Sequence, residues 1–187
     1  MMKQILLLSG YARSGKDSVA NLLEEEHGYL RFAFADALKD MVATETGIPV
    51  ALFHSQQKDT VIPHSAPPTT YRDLLINIAD KKRAVDPDIF SRLVGKQISE
   101  SNAEYIVVSD WRYKREESFL RSFLESQPVS YHIRRGRVMR ASIVPSTAPI
   151  EHDLDGAPMD VVIENNGSIS DLRGLVHSAF RRTHPSS

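Results

Sequence analysis

Gly10-Tyr11-Ala12-Arg13-Ser14-Gly15-Lys16 is the stretch of this 187-residue chain whose residue types and spacing promise the most definite chemistry. It reads G-x-x-x-x-G-K. Glycines at its ends let backbone N–H groups turn inward on one anion, and the closing lysine can reach the terminal phosphates of a nucleotide. The context supports that reading. The run Lys3–Ser9 reads as a buried strand, and residues 16–27 read as a helix with Val19, Ala20, Leu22 and Leu23 on one stripe. A loop between strand and helix aims the helix N-terminus at the anion. Ser14, Asp17 and Ser18 complete the phosphate-binding stretch. One position departs from the usual pattern. A hydroxyl normally follows the lysine and ligates Mg2+; here Asp17 does, and then Ser18. Asp17 either holds the ion, as a hard oxygen ligand can, or favours the helix dipole. Both readings stand, and Ser18, one residue late, is not given the metal.

A second group of candidates follows the apolar run Tyr105–Ser109. Asp110 ends that strand at the edge where α/β sites form. It either binds Mg2+ or its water shell or caps the following helix. Arg112, two residues on, either clamps a phosphate or is an ordinary exposed arginine. Further along, Arg134, Arg135, Arg137 and Arg140 form a basic segment. Seven histidines show no metal-ligand spacing, and His152 with Asp153 and Asp155 reads as a solvated loop in preference to a metal loop.

The elements that must position these residues alternate. Strands are expected at Lys3–Ser9, Tyr29–Phe34, Glu104–Ser109, Val129–Ile133 and Met159–Glu164. Helices are expected at residues 16–27, Ala35–Thr46, Tyr71–Arg83, Pro87–Ser99, Tyr113–Ser126 and Ile169–Phe180. Five strands alternating with helices predict an α/β fold with a five-stranded parallel sheet covered on both faces. Residues 48–70 hold Pro49, Pro63, Pro67 and Pro68 and read as a long loop. Composition sets outer bounds. The length suits one domain, residues 1–187. There are no cysteines, which excludes disulfides, a thiol nucleophile and thiolate metal centres. With 23 Lys+Arg against 24 Asp+Glu the formal charge is -1, which disfavours bulk nucleic-acid binding without excluding a local patch. No run is long enough for a membrane span or a secretory leader, and a cytoplasmic location is expected.

Taken in order, several blocks resemble the bacteriophage deoxynucleoside monophosphate kinases, a branch of the P-loop nucleoside monophosphate kinase fold. They are Gly10–Ser18 with its Lys16-Asp17 ending, and Phe32-Ala33-Phe34-Ala35-Asp36-Ala37-Leu38-Lys39-Asp40, where Ala37 replaces the usual proline. Thr70–Leu75 with Asp86–Phe90 is the third, Val107–Tyr113 the fourth, and Asp160–Ser168 a closing strand and turn. The resemblance implies a three-layer P-loop NTPase fold, a helical acceptor-side region at about residues 36–100 and a lid-like segment at about 134–157. It implies transfer of the γ-phosphoryl group of ATP to a deoxynucleoside 5′-monophosphate, with Mg2+ as cofactor and nucleotides as partners.

On that reading Lys16 and the loop amides hold the donor, with Gly10, Arg13 and Gly15 shaping the loop. Arg72 and Arg112 hold the acceptor phosphate or the transferring group, and Asp36 and Lys39 face the acceptor. Arg134, Arg135, Arg137 and Arg140 form a lid that neutralises transition-state charge. Phe34, Tyr71, Phe90, Trp111 and Tyr113 either stack on the base or pack the core; Asp110 and Trp111 join the acceptor side. Two other functions remain open: a kinase of the same fold acting on a modified base in phage DNA or on another small acceptor, and a non-catalytic nucleotide-binding module. The lack of an N-K-x-D motif counts against a GTPase switch. A homodimer is left open.

Overall fold

Strands of three to ten residues, separated by amphipathic helices, pair here into one sheet between two helical layers. The computed structural model describes residues 2–54, 56–147 and 149–181. In chain order its elements are β1 (Met2–Ser9), α1 (Lys16–His27), β2 (Leu30–Phe32), α2 (Phe34–Thr46), α3 (Ala51–His54), α4 (Tyr71–Val85), α5 (Ile89–Glu100), β3 (Tyr105–Val108), α6 (Lys114–Glu125), β4 (Ser130–Met139), β5 (Val161–Glu164) and α7 (Ile169–Ala179). The sheet order is β2-β3-β1-β4-β5, and every neighbouring pair is parallel. All five C-terminal strand ends therefore share one edge, the edge at which α/β proteins build their sites.

Strand periodicity splits the core between the two faces. Ile5 and Leu7 of β1 join Ile106, Val108 and Ile133 beneath α2, α5 and α6. Leu6 and Leu8 join Val107, Val138 and Ile163 beneath α1 and α7. A smaller cluster of Val42, Phe53 and Tyr71 holds together the helical region between β2 and β3. Thr70 and Asp73 form a reciprocal capping box that starts α4, and Ser168 and Asp171 do the same for α7.

Two segments differ from the sequence expectation. Within residues 48–70 the chain is partly ordered: it makes α3, a 3-10 turn at Gln56–Asp59 and an isolated bridge from Val61 to Thr70. The expected strand Val129–Ile133 runs on to Met139. Its basic half is sheet because both edges of it are paired: Arg134–Arg137 register with Leu6–Ser9, and Gly136–Met139 with Val161–Glu164. Arg134, Arg135 and Arg137 are therefore strand residues and not part of a lid; the segment joining β4 to β5 begins at Arg140. Among the described residues no helix is long and apolar enough to cross a membrane.

Candidate active site

The loop from Gly10 to Lys16 leaves the central strand and enters α1. Gly10 and Gly15 adopt φ of +142° and +104°, and neither has room for a side chain. A Cβ on Gly10 would lie 2.3 Å from the Val138 carbonyl oxygen, and one on Gly15 would lie 2.3 Å from the Asn165 side-chain nitrogen. Both glycines are thus required by backbone conformation and by close approach. Asn165 is buried just after β5 and donates to the Ser14 carbonyl at 2.8 Å, so the last strand braces the loop from below. Lys16 Nζ donates to the Gly10 and Tyr11 carbonyls at 2.6 and 2.9 Å, which holds the ammonium over the loop. Burial, and then the nearby Arg112 guanidinium, lower its pKa. Ser14 Oγ is buried without a hydrogen-bond partner. A cradle of amides, a desolvated cation and an unsatisfied hydroxyl is a site made for a polyanion.

Beside the loop, Asp110 ties two elements together. Its two oxygens accept the Phe34 and Ala35 amides, each at 2.8 Å. It therefore caps the start of α2 and not the helix that follows it in sequence. Burial raises its pKa, against the two amide bonds and Arg112. Asp17 is mostly exposed and pairs with Arg31 at 2.6 Å. Arg31 also donates to Asn21 Oδ1 and Ser109 Oγ, locking the first turns of α1 to the ends of β2 and β3. In this arrangement Asp17 holds the first turn of α1 to β2 through Arg31. Arg112 stands next to the loop, 3.8 Å from the carboxylate of Glu151.

A cavity of about 470 Å3 opens between the start of α6 and the α4–α5 turn, its lining beginning at Tyr113, the residue after Arg112. Phe90 and Tyr113 contribute aromatic surface to its lining, Arg83 lies with its guanidinium 4.9 Å from the Phe90 ring centre, and Ser91 and Glu116 add polar groups. One oxygen of Glu116 accepts the Arg112 and Tyr113 amides at 2.9 and 3.0 Å. Burial pushes its pKa up to about 7 despite those bonds. Asp88 at the rim is clamped by Arg115 through two hydrogen bonds of 2.6 and 2.7 Å.

Several expected site residues are placed elsewhere. Phe34 and Trp111 are core side chains, 5% and 1% exposed, and neither lines this cavity; the Trp111 indole donates to the Tyr113 carbonyl. Tyr71 packs edge-on against Phe53. Arg72 is taken up by Asp59 in an exposed ion pair and lines none of the cavities described here. Arg134 lies over Phe180 of the α7 end, on the other face of the sheet from α6. Arg135 is held by the buried Glu117 of α6. Neither Arg134 nor Arg135 is placed for catalysis. Asp36 and Lys39 bond to one another at 2.8 Å on the first turns of α2, next to Asp110. Arg137 does reach the loop: its guanidinium is 4.9 Å from the Tyr11 ring centre and bonds Asp155 at 2.6 Å. Arg83, Glu116 and Glu151 carry no motif, and nothing in their spacing announces them; Asp155 stands out in the sequence only as part of the His152–Asp155 loop.

Comparison with known proteins agrees with this geometry. No curated protein matches the sequence. Among solved structures, TT1252 from Thermus thermophilus superposes with a TM-score of 0.52 at 18% identity, covering 98% of this chain and 100% of that one. The dephospho-CoA kinase from Campylobacter jejuni superposes with a TM-score of 0.51 at 11% identity, covering 96% of each. These likenesses show a shared P-loop kinase fold. The family model described as phosphomevalonate kinase matches residues 8–126, from the end of β1 through α6, and therefore takes in the loop, the α2 cap and all of the cavity lining but Asp153. On that match the chain belongs to the phosphomevalonate kinase family.

Proposed function

We propose that the protein transfers the γ-phosphoryl group of ATP to the phosphate of a deoxynucleoside 5′-monophosphate, giving the diphosphate. One observation carries the reading: a phosphate cradle and a roughly 470 Å3 cavity that holds Phe90 and Tyr113 lie at one sheet edge with Arg112 between them. A flat aromatic base fits such walls, and a cation between the two ligands suits two anions that must approach. Phosphoryl transfer asks chiefly for alignment and charge neutralisation. The loop amides and Lys16 hold the donor phosphates. Arg112 faces the transferring group, and Arg83 the acceptor side. An ionised phosphate acceptor needs no strong base.

Among the described residues no group of three or more His, Asp or Glu could hold a metal by itself. Mg2+ keeps several waters and takes one or two carboxylates besides substrate phosphates. Asp110 is the residue that would hold it, and the bound ion would neutralise charge between the phosphates. The family match favours a second reading, in which the acceptor is phosphomevalonate. Both acceptors are phosphate monoesters, so the donor chemistry is common to them.

The test measures ADP release from Mg·ATP with deoxynucleoside monophosphates, ribonucleoside monophosphates, phosphomevalonate and an oligonucleotide carrying modified bases. Turnover is expected with at least one deoxynucleotide. Turnover with phosphomevalonate alone selects the second reading, and no acceptor-dependent turnover at all sinks both.

A further inference from the structure

The stretch Glu151–Asp155 lies across the mouth of the phosphate loop, and each acid in it is seated on a donor. Glu151 Oε2 accepts the Ala12 amide of the loop at 3.1 Å, and its other oxygen is 3.8 Å from Arg112 Nη1. That carboxylate is 9% exposed, and its charge is felt by Lys16. Asp153 accepts the Lys114 amide at 2.7 Å. Asp155 Oδ1 accepts the Tyr11 hydroxyl at 2.9 Å and Arg137 Nη2 at 2.6 Å. Arg137 Nη1 donates to the Leu154 carbonyl at 3.0 Å, and the Leu154 side chain is buried in the core. A cavity of about 20 Å3 lies between this strap and the loop, bordered by Gly10, Arg112, Arg137 and Glu151. That is room for about one ordered water beside the loop.

A carboxylate on a loop amide, beside an arginine and near the loop lysine, satisfies the same donors that a phosphate oxygen would. We propose that Glu151 is an intramolecular stand-in for a substrate phosphoryl group, and that the strap is a plug which polyphosphate displaces, freeing Arg112 and Arg137 to face the ligand. The inference rests on the reading of Gly10–Lys16 as a nucleotide site, and it is independent of the acceptor. A polyphosphate outcompetes the plug because it brings more charge and more acceptor oxygens to the same amides. The resting protein keeps its cations paired, and binding exchanges one anion for another.

Calorimetric titration of the full chain with tripolyphosphate, and separately with Mg·ATP, tests this. Glu151→Gln, nearly isosteric, and Glu151→Ala are both expected to bind tripolyphosphate on the order of 10-fold more tightly than the wild type, the size of one charge-assisted hydrogen bond. Thermal melts confirm that each variant is folded. In the wild type, the His152 and Asp155 amides, which bond back to Pro149 and His152, should exchange faster once tripolyphosphate is added. Unchanged or weaker binding by both variants overturns the proposal, as does slower exchange on adding ligand. Tight tripolyphosphate binding by the variants without any phosphorylated acceptor leaves the plug standing and removes the kinase reading. Acceptor turnover with no gain in affinity does the reverse. No tripolyphosphate binding by any form removes both.

Discussion

Lys16, Arg83 and Arg72 are three cations in three situations, and the differences set what each substitution should do. Lys16 is half-buried over the loop with its charge opposed by burial, so it is held ready for an anion. Lys16→Ala should lower kcat by at least about 100-fold, the usual scale for removing one preorganised electrostatic group, with the far-ultraviolet circular dichroism unchanged. Arg83 leans over Phe90 at the wall of the cavity. Arg83→Ala should raise KM for the acceptor about 10-fold, by roughly one charge-assisted contact, while KM for ATP stays near the wild-type value; equal changes in both would place Arg83 outside the acceptor site. Arg72 is spent on Asp59 at the surface. Exposed pairs contribute little and Arg72 does not line the cavity, so Arg72→Ala should leave both KM values within about 2-fold of wild type. The sequence makes Lys16 legible because the whole motif is contiguous and flanked by its own strand and helix. The resemblance points to Arg72 and passes over Arg83, and only the partners found in three dimensions reverse that order.

At the scale of elements, the strap is the segment whose position responds to conditions. His152 Nδ1 bonds Asp155 at 2.8 Å and Nε2 bonds the Ser146 carbonyl at 2.7 Å. Both partners are acceptors, so both ring nitrogens must carry protons for both bonds to exist. Asp155 first and the Ser146 carbonyl second raise the His152 pKa, with Glu151 adding to it. The Tyr11 ring packs 6.0 Å away, and Arg137 sits across Asp155. A histidine with a raised native pKa stabilises fully below its unfolded value and loses that stabilisation as pH rises through the native one. The His152 and Asp155 amides should therefore be better protected at pH 6 than at pH 8.5, after correction for intrinsic exchange, and His152→Asn should erase most of the difference. A protection ratio that stays the same in the variant would assign the pH effect to another group. A basic run reads as a surface segment, yet Arg135 and Arg137 satisfy their charge on Glu117 and Asp155, eighteen residues away in either direction. Such pairings depend on which elements meet, and no local pattern encodes them. The strands and long helices, by contrast, follow from periodicity.

For the whole molecule, the titration of Glu116 should be visible in global stability. Its native pKa of about 7 stands above the ordinary 4.5. The folded protein thus binds more protons than the unfolded chain between those values, and Glu116 makes stability fall as pH rises from 4.5 to 7. The contribution is of order 1–3 kcal/mol for a shift of this size. Glu116→Gln should flatten that part of a plot of melting temperature against pH, and a plot that keeps its slope would put the cause elsewhere. The two core layers explain why the architecture is readable from sequence. Alternation along β1 sends odd positions to one face and even positions to the other, and each face meets helices with matching stripes.

Asn165 gives the phosphate loop a dependence that its own sequence does not show. It stands 151 positions after Ser14, touches the loop through one hydrogen bond and leaves no space for a side chain at Gly15. A survey of inactivating substitutions would accordingly map to two distant places in the gene, the loop and the residue after the last strand. Those at Asn165 would look like active-site lesions although the residue handles no substrate. A chain truncated before β5 would keep every letter of the motif and lose the geometry that gives it meaning.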